Sequence, residues 1–385
     1  MKIGIYNQTV TYKTGGTESY TAFLLQSIQN MYPYAEITII SEENKSMFEG
    51  GGGVKDVLNH LNSTFGTNIK NNNILIKELK YCNRIAFFIL FYKESSKYDL
   101  FFNCSVNMLC PNAKINIQIT HFPDHLYKET HFSKMCFFTK VLANKIDKRI
   151  KNSYSLYLCN SEFTAHWLKV RWNIENKRIK ILYPPVNLVK GQEKKDNIIM
   201  VCSRIESSKK IEFLIEAFNK INVTDYKLVI AGGCSSDSDK TYLKKLKSLI
   251  KDNNSVEFML NISRSKLEKL YKRAKIFWHA KGFDIDEDKN PYMLEHFGIT
   301  TVEAMSAGCV PIVIDKGGQK EIVDENFCGF RWKTTDELVK KTQKIINNSE
   351  LFIQFSNAAI SKATVYSSDS FCSKLKNIIS SNIFL

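Results

Sequence analysis

From Asn197 to Ile314 the chain repeats one pattern: a short, continuous apolar run, then an amphipathic stretch of helical period. The runs are Asn197–Cys202 (NIIMVC), Lys227–Ala231 (KLVIA), Val256–Leu260, Ile276–His279 and Val310–Ile314. Between them, Ile211, Leu214, Ile215 and Phe218 share one helical face. Tyr242, Leu243, Leu246, Leu249 and Ile250 repeat the spacing in Thr241–Ile250, Ser263 opens another helix, and a last one lies near Thr300–Ala307. Strands apolar on both faces and joined by helices belong to a parallel sheet covered on both sides. The N-terminal half repeats the theme, with Lys2–Tyr6, Ile37–Ile40, Tyr98–Asn103, Ile115–Thr120 and Ser155–Asn160 as strands. There Gly15–Gly16 leads into a helix over Thr17–Met31. Leu182–Asn187 (LYPPVN) is the hinge, because its two prolines suit neither a helix interior nor a central strand. The expected class is α/β, with two doubly wound Rossmann-like domains facing a central cleft. Ligands of such sheets bind at the carboxyl ends of the strands. A chain of 385 residues is long enough for two such domains.

A net charge of +15 favours anionic partners, whether nucleic acid, acidic lipid or phosphorylated small molecules. It equally suits a solubilising lysine-rich surface. No basic run or motif of the nucleic-acid kind occurs, so no nucleic-acid partner is expected. The ten cysteines form no Cys-x-x-Cys pair, and Cys159 and Cys202 fall inside apolar strand-like runs. Reduced, buried thiols in a cytoplasmic protein fit that pattern better than disulfides or a zinc site. The start, MKIGIYNQTV, is too short and polar for a secretory signal. The longest apolar run, Ile85–Tyr92 (IAFFILFY), is less than half of the roughly 20 residues a membrane span needs. The expectation is a cytoplasmic protein that is soluble or peripheral to the inner face of the membrane. Gly50–Gly53 reads as a flexible loop.

The segment with the most chemistry is Glu295-His-Phe-Gly-Ile-Thr-Thr-Val-Glu303, followed by Ala304-Met-Ser-Ala-Gly308 and the strand Val310–Ile314. One carboxylate precedes a helix and the other lies about a turn inside it. Gly298 allows a tight turn at the entry, and the first helical amides then point outward as a seat for phosphate. A carboxylate at Glu303 can accept hydrogen bonds from both hydroxyls of a ribose. Gly298, Ala304, Ala307 and Gly308 keep the segment slim, which counts against a pair of merely solvated acids.

EHFGITTVEAMSAGCVPIV resembles the Glu-x7-Glu donor motif of the retaining family 4 glycosyltransferases, enzymes of the two-domain GT-B type. The resemblance places Glu303 on the nucleotide ribose and Glu295 near the donor sugar. Phe297 lies in the same donor segment, and the amides of Gly298, Ile299 and Thr300 face the pyrophosphate. Ser203-Arg-Ile-Glu-Ser-Ser-Lys-Lys210 is similar to the family's Gly-Arg-Leu-x-x-x-Lys-Gly turn. Arg204 and Lys209 match its two diphosphate-binding cations, while Ser203 and Lys210 replace its two glycines. Without a metal, such cations must neutralise the leaving diphosphate. Leu228–Gly233 resembles the strand and turn beside the base, with Gly232 and Gly233 at its end. Gly15-Gly16-Thr-Glu18 resembles the loop over the donor phosphates, and His121 stands where the family often has a histidine near the transferred sugar. His279 and His296 receive no role. The implied organisation is an acceptor domain over residues 1–184, on which a helix near 365–385 packs back, and a donor domain over 185–364.

His279-Ala-Lys-Gly-Phe283 and Tyr183-Pro-Pro-Val186 look similar to mannosyltransferases that elongate lipid-linked oligosaccharide. The resemblance therefore implies transfer of a hexose, mannose from GDP-mannose foremost, to a hydroxyl of a lipid-linked or polysaccharide glycan in surface polysaccharide synthesis. UDP sugars stay open, as do a non-catalytic nucleotide-sugar-binding scaffold and a GT-B-like epimerase. No cofactor and no metal are expected. The triplets Asp237-Ser-Asp239 and Asp284-Ile-Asp286 read as chance pairs in polar loops. Lys134–Lys151 combines an apolar and a basic helical face. It reads either as an ordinary domain helix or as a peripheral contact with an anionic membrane.

Overall fold

The computed structural model describes residues 1–10, 15–42, 53–123, 137–191, 193–221, 223, 225–250 and 255–382, so Gly50–Gly52 and the start of the Lys134–Lys151 run lie outside the described residues. The chain forms two compact units, Met1–Pro185 with Ser368–Leu385, and Val186–Ser367.

Unit 1 runs β1 (Lys2–Tyr6), α1 (Gly16–Met31), β2 (Glu36–Glu42), α2 (Val54–Phe65), β3 (Ile74–Leu79), α3 (Arg84–Ser95), β4 (Leu100–Asn103), β5 (Ile115–Thr120), α4 (Phe137–Ser153), β6 (Leu156–Cys159), α5 (Glu162–Trp172) and β7 (Ile179–Ile181). Its sheet has the order β3-β2-β1-β4-β5-β6-β7 with every pairing parallel. The order reverses at β1, the switch that opens a crevice at the strand ends.

Unit 2 runs β8 (Asp196–Cys202), α6 (Ile211–Lys220), β9 (Lys227–Gly232), α7 (Asp237–Ser248), β10 (Val256–Leu260), α8 (Arg264–Arg273), β11 (Ala274–His279), α9 (Ile299–Ser306), β12 (Val310–Ile314), α10 (Gln319–Ile322), β13 (Phe330–Trp332), α11 (Thr335–Ile346) and α12 (Ser349–Ala363). Its parallel sheet has the order β10-β9-β8-β11-β12-β13, so here the switch lies at β8. The last helix, α13 (Ser368–Asn382), belongs to unit 1, where Phe371, Leu375, Ile378 and Ile379 join the core beneath α1.

The central strands form because Ile, Val, Leu and aromatic residues fill both faces; Ile199, Met200, Ile276, Phe277, Trp278 and all of Val310–Ile314 are buried. The edge strands β3, β7 and β13, absent from the sequence reading, are short or partly exposed, and tertiary pairing rather than local pattern defines them. One expectation is corrected. Asp237 and Asp239 are not loop residues; they form the first turn of α7, where Ser236 and Asp239 close a reciprocal capping box. Asp284 and Asp286 do lie in a loop, and Asp286 accepts from the amides of Asp288 and Lys289.

Candidate functional site

The carboxyl ends of β8, β9 and β11 carry the residues that matter. β8 ends at Cys202, and the chain then crosses the end of β9. A Cβ at Gly232 would stand 1.7 Å from the Ser203 carbonyl oxygen, so the crossing needs glycine there. Ser203 N donates to Ala231 O at 3.1 Å and Ile205 N to Gly233 O at 2.8 Å, which locks the loop in place. The loop ends in a short 3-10 turn, Ser207–Lys209, and Lys210 takes the left-handed conformation at φ 58° before α6 begins. That is where the resemblance placed a glycine, and Lys210 adopts the glycine geometry at a cost of about 1 kcal/mol.

The loop delivers Lys209 to Glu295, with Nζ 2.9 Å from Oε2. Two further groups converge on the same oxygen from the end of β11 and the residues just after it: His279 Nε2 at 3.5 Å and Lys281 Nζ at 3.9 Å. Burial pushes the Glu295 carboxyl up, but Lys209, His279 and Lys281 outweigh it and hold it well below the usual carboxylate range. Burial holds the His279 imidazole below its ordinary value against the pull of Glu295, so it is neutral at pH 7. Among the described residues, neither ring nitrogen of His279 finds an aligned hydrogen-bond partner. Burial also depresses the Lys281 ammonium; Glu295 and Glu206 pull it back up, while Lys209 and Arg204 push it further down. Arg204 itself keeps three quarters of its side chain exposed (75%) and touches Glu206 at 3.4 Å. Three cations thus meet two carboxylates here, leaving net positive charge.

Glu295 is held by a brace that sequence reasoning missed. Gly317 and Gly318 lie against its backbone; a Cβ on either would meet the carbonyl oxygen of Glu295 or His296 at 2.5 Å. Gly318 N donates to Glu295 O at 2.8 Å. Buried Gln319 accepts from Thr301 Oγ1 at 3.0 Å and donates to Phe297 O at 3.4 Å, tying the approach to α9. Gly298 stands at φ 135°, a conformation side chains rarely adopt, and its absent Cβ leaves room for the Gln319 amide. Thr301 and Val302 donate the first bonds of α9 to Gly298 O, so the amides of Ile299 and Thr300 precede the helical ladder. Phe297 turns its ring inward onto Tyr366, 5.4 Å between centroids, so only its backbone lies with the loop.

Glu303 is buried inside α9. Arg264 of α8 reaches Oε1 at 2.5 Å, and the buried Tyr271 hydroxyl donates to Oε2 at 3.0 Å. Burial nevertheless raises its carboxyl above the ordinary value. Neither partner was visible in the sequence, because both come from a different helix. The small residues after Glu303 serve α12: a Cβ at Gly308 would meet Ser356 Oγ at 2.9 Å. Slimness there reflects helix packing.

The remaining candidates lie in unit 1. Gly15 caps α1 and Gly16 opens it, both exposed, and a Cβ at Gly15 would meet Glu18 Oε2 at 2.7 Å. Glu18 is buried and accepts from the hydroxyls of Thr9 and Thr17. His121 follows β5, with Nε2 3.2 Å from Cys104 O and its ring edge-on to Tyr20. Burial lowers its pKa, against opposing pulls from the Cys104 carbonyl and Glu18, which places His121 near the Gly15–Glu18 turn. Among the described residues no cluster of His, Cys, Asp and Glu could hold a metal ion.

The two parallel Rossmann-like units are those of the GT-B glycosyltransferases. The crystal structure of a glycosyltransferase from Rickettsia africae aligns with a TM-score of 0.73 at 16% identity, covering 99% of this chain and 98% of that one. The family model of Glycosyl transferases group 1 matches residues 188–362, a stretch that lies within unit 2. Among curated relatives, the GDP-Man:Man(3)GlcNAc(2)-PP-Dol alpha-1,2-mannosyltransferase of Dictyostelium discoideum is 24% identical over 64% of this chain and 51% of its own length. The alpha-1,3/1,6-mannosyltransferase ALG2 of Rhizomucor pusillus is 26% identical over 67% of this chain and 64% of its own. The chain thus spans between about half and two thirds of these relatives.

Proposed function

We propose that the chain is a retaining glycosyltransferase of family 4 that moves a hexose, mannose from GDP-mannose foremost, onto a hydroxyl of a lipid-linked or polysaccharide glycan. The observation that carries this reading is the convergence of Lys209, Lys281 and His279 on Glu295 beside the free N-terminus of α9. A diphosphate seated there meets Arg204, Lys209 and the amides of Ile299 and Thr300. Glu295 and neutral His279, whose nitrogens lack aligned partners, offer hydrogen bonds to sugar hydroxyls. Glu303 keeps lone pairs beyond those used by Arg264 and Tyr271, enough for a ribose. The curated mannosyltransferase relatives support mannose as the sugar.

In the reaction the bond from the anomeric carbon to the phosphate oxygen breaks. A bond to the acceptor oxygen forms on the same face, and the acceptor proton passes to the departing phosphate. Arg204 and Lys209 stabilise the charge on the leaving diphosphate, and no metal is needed. In this reading unit 1 takes the acceptor, its Gly15 and Gly16 serve donor phosphate binding and its His121 the transferred sugar, and the site of action is the cytoplasm, in surface polysaccharide synthesis.

The test is a thermal-shift panel of GDP, UDP and ADP sugars, followed by NMR of the anomer formed. A shift with GDP-mannose and an α-configured product support the proposal. Donor binding without hydrolysis or transfer supports a scaffold instead, and conversion of the donor without acceptor an epimerase.

A further inference from the structure

The Ile85–Tyr92 stretch of helix α3 (RIAFFILFYKES) is apolar all the way round. A helix of that kind is ordinarily buried on every side. Phe87 and Phe91 turn inward onto Tyr6, and Phe91 also packs edge-on against Phe101. The opposite face carries Ile85, Phe88 and Ile89, which are 74%, 44% and 52% exposed. Their spacing sets them on one stripe, and Tyr81 and Leu90 widen it. A run of neighbouring exposed apolar side chains rimmed by charged ones is the pattern of an interaction site.

Cations frame the stripe. Arg84 and Lys93 are exposed on α3 itself. The Arg149 guanidinium lies 5.6 Å from the Tyr92 ring centroid, which brings the last turns of α4 alongside, with Lys145, Ile146 and Lys148 exposed. The nearby acids are already engaged. Glu94 is buried between Lys77 and Lys97, each at 2.7 Å, Asp147 pairs with Lys151 at 2.6 Å, and Glu42 accepts from Tyr6 and Tyr81.

We propose that this face of unit 1 docks on the surface of an anionic lipid bilayer. Ile85, Phe88 and Ile89 enter the boundary between headgroups and acyl chains, while Arg84, Lys93, Lys145, Lys148 and Arg149 meet lipid phosphates. No helix among the described residues is long and apolar enough to cross, so the contact lies in the plane of the interface. Charge selects lipid over a second copy of the chain, because self-docking through one patch would bring the same cations face to face. The proposal stands apart from sugar transfer and is measured without donor or acceptor.

The test is co-sedimentation of the full chain with phosphatidylcholine vesicles containing none or about 30% phosphatidylglycerol. The chain pellets with the anionic vesicles only. Ile85→Ser/Phe88→Ser/Ile89→Ser lowers partition about tenfold or more, and each of Lys145→Ser, Lys148→Ser and Arg149→Ser lowers it roughly fivefold. Should the triple variant fold poorly, Phe88→Trp provides a second readout: its fluorescence is quenched by brominated lipid. Equal partition of the triple variant, indifference to lipid charge, or fluorescence of Phe88→Trp that brominated lipid leaves unquenched overturns the proposal. So does a concentration-dependent dimer that the triple variant abolishes while wild type ignores vesicles.

Discussion

At the scale of single residues, the site is a set of charges ordered by backbone that only glycine permits. Lys209 and Arg204 meet the leaving group in the proposed reaction, so Lys209→Ala or Arg204→Ala lowers turnover by about 10²–10³-fold in a steady-state assay. Two variants with wild-type rates would remove the mechanism. Lys210 tests the loop separately. Its left-handed φ of 58° means that Lys210→Gly leaves stability unchanged or raises it by up to about 1 kcal/mol, read by urea denaturation. His279 fixes a pH dependence. Its folded pKa lies below the ordinary 6.5, so the fold binds fewer protons than the unfolded chain. Its contribution is complete above 6.5 and falls as the pH drops through 6.5 toward its folded value. Denaturation midpoints measured across that window decline less steeply in His279→Asn; the buried His121 supplies part of the remaining slope. Of these residues, Arg204, Lys209, Glu295 and Glu303 stood out in the sequence because each belongs to a contiguous motif. Lys281, Arg264, Tyr271 and Gln319 did not. Their importance lies in which distant segment they meet, and a single sequence does not carry that pairing.

At the scale of elements, the central strands and amphipathic helices were legible because burial imposes a period that survives in the residues. β8, β9, β11 and β12 needed no tertiary information. β7 and β13, three residues each, were invisible since their only definition is a neighbour to pair with. The IAFFILFY run gave its length but not its kind, because a helix apolar on both faces has no periodicity to read. The acidic triplet at Asp237–Asp239 misled for a related reason: capping geometry looks like loop composition. It yields a clean prediction. Asp239→Ala removes the acceptor for the Ser235 and Ser236 amides and costs about 1 kcal/mol in thermal denaturation, while transfer activity is unchanged and unaffected by EDTA.

At the scale of the whole molecule, the chain returns to unit 1 for its last helix. Phe371, Leu375, Ile378 and Ile379 are each buried at 8% exposure or less. Each buried side chain of this size contributes about 1.5–3 kcal/mol, so together they rival the roughly 5–15 kcal/mol stability of a domain. A chain ending at Ser367 therefore loses the cooperative unfolding of unit 1, visible in calorimetry, while the transition of unit 2 persists. The central claim is that unit 2 seats a nucleotide sugar between its cations and its two glutamates. Calorimetric titration of the full chain with GDP-mannose, beside Lys209→Ala and Glu303→Gln, tests it most directly. The account predicts binding by the wild type and about 10–100-fold weaker binding by each variant. A wild type that binds no nucleotide sugar, or variants that bind as tightly as it does, would contradict it.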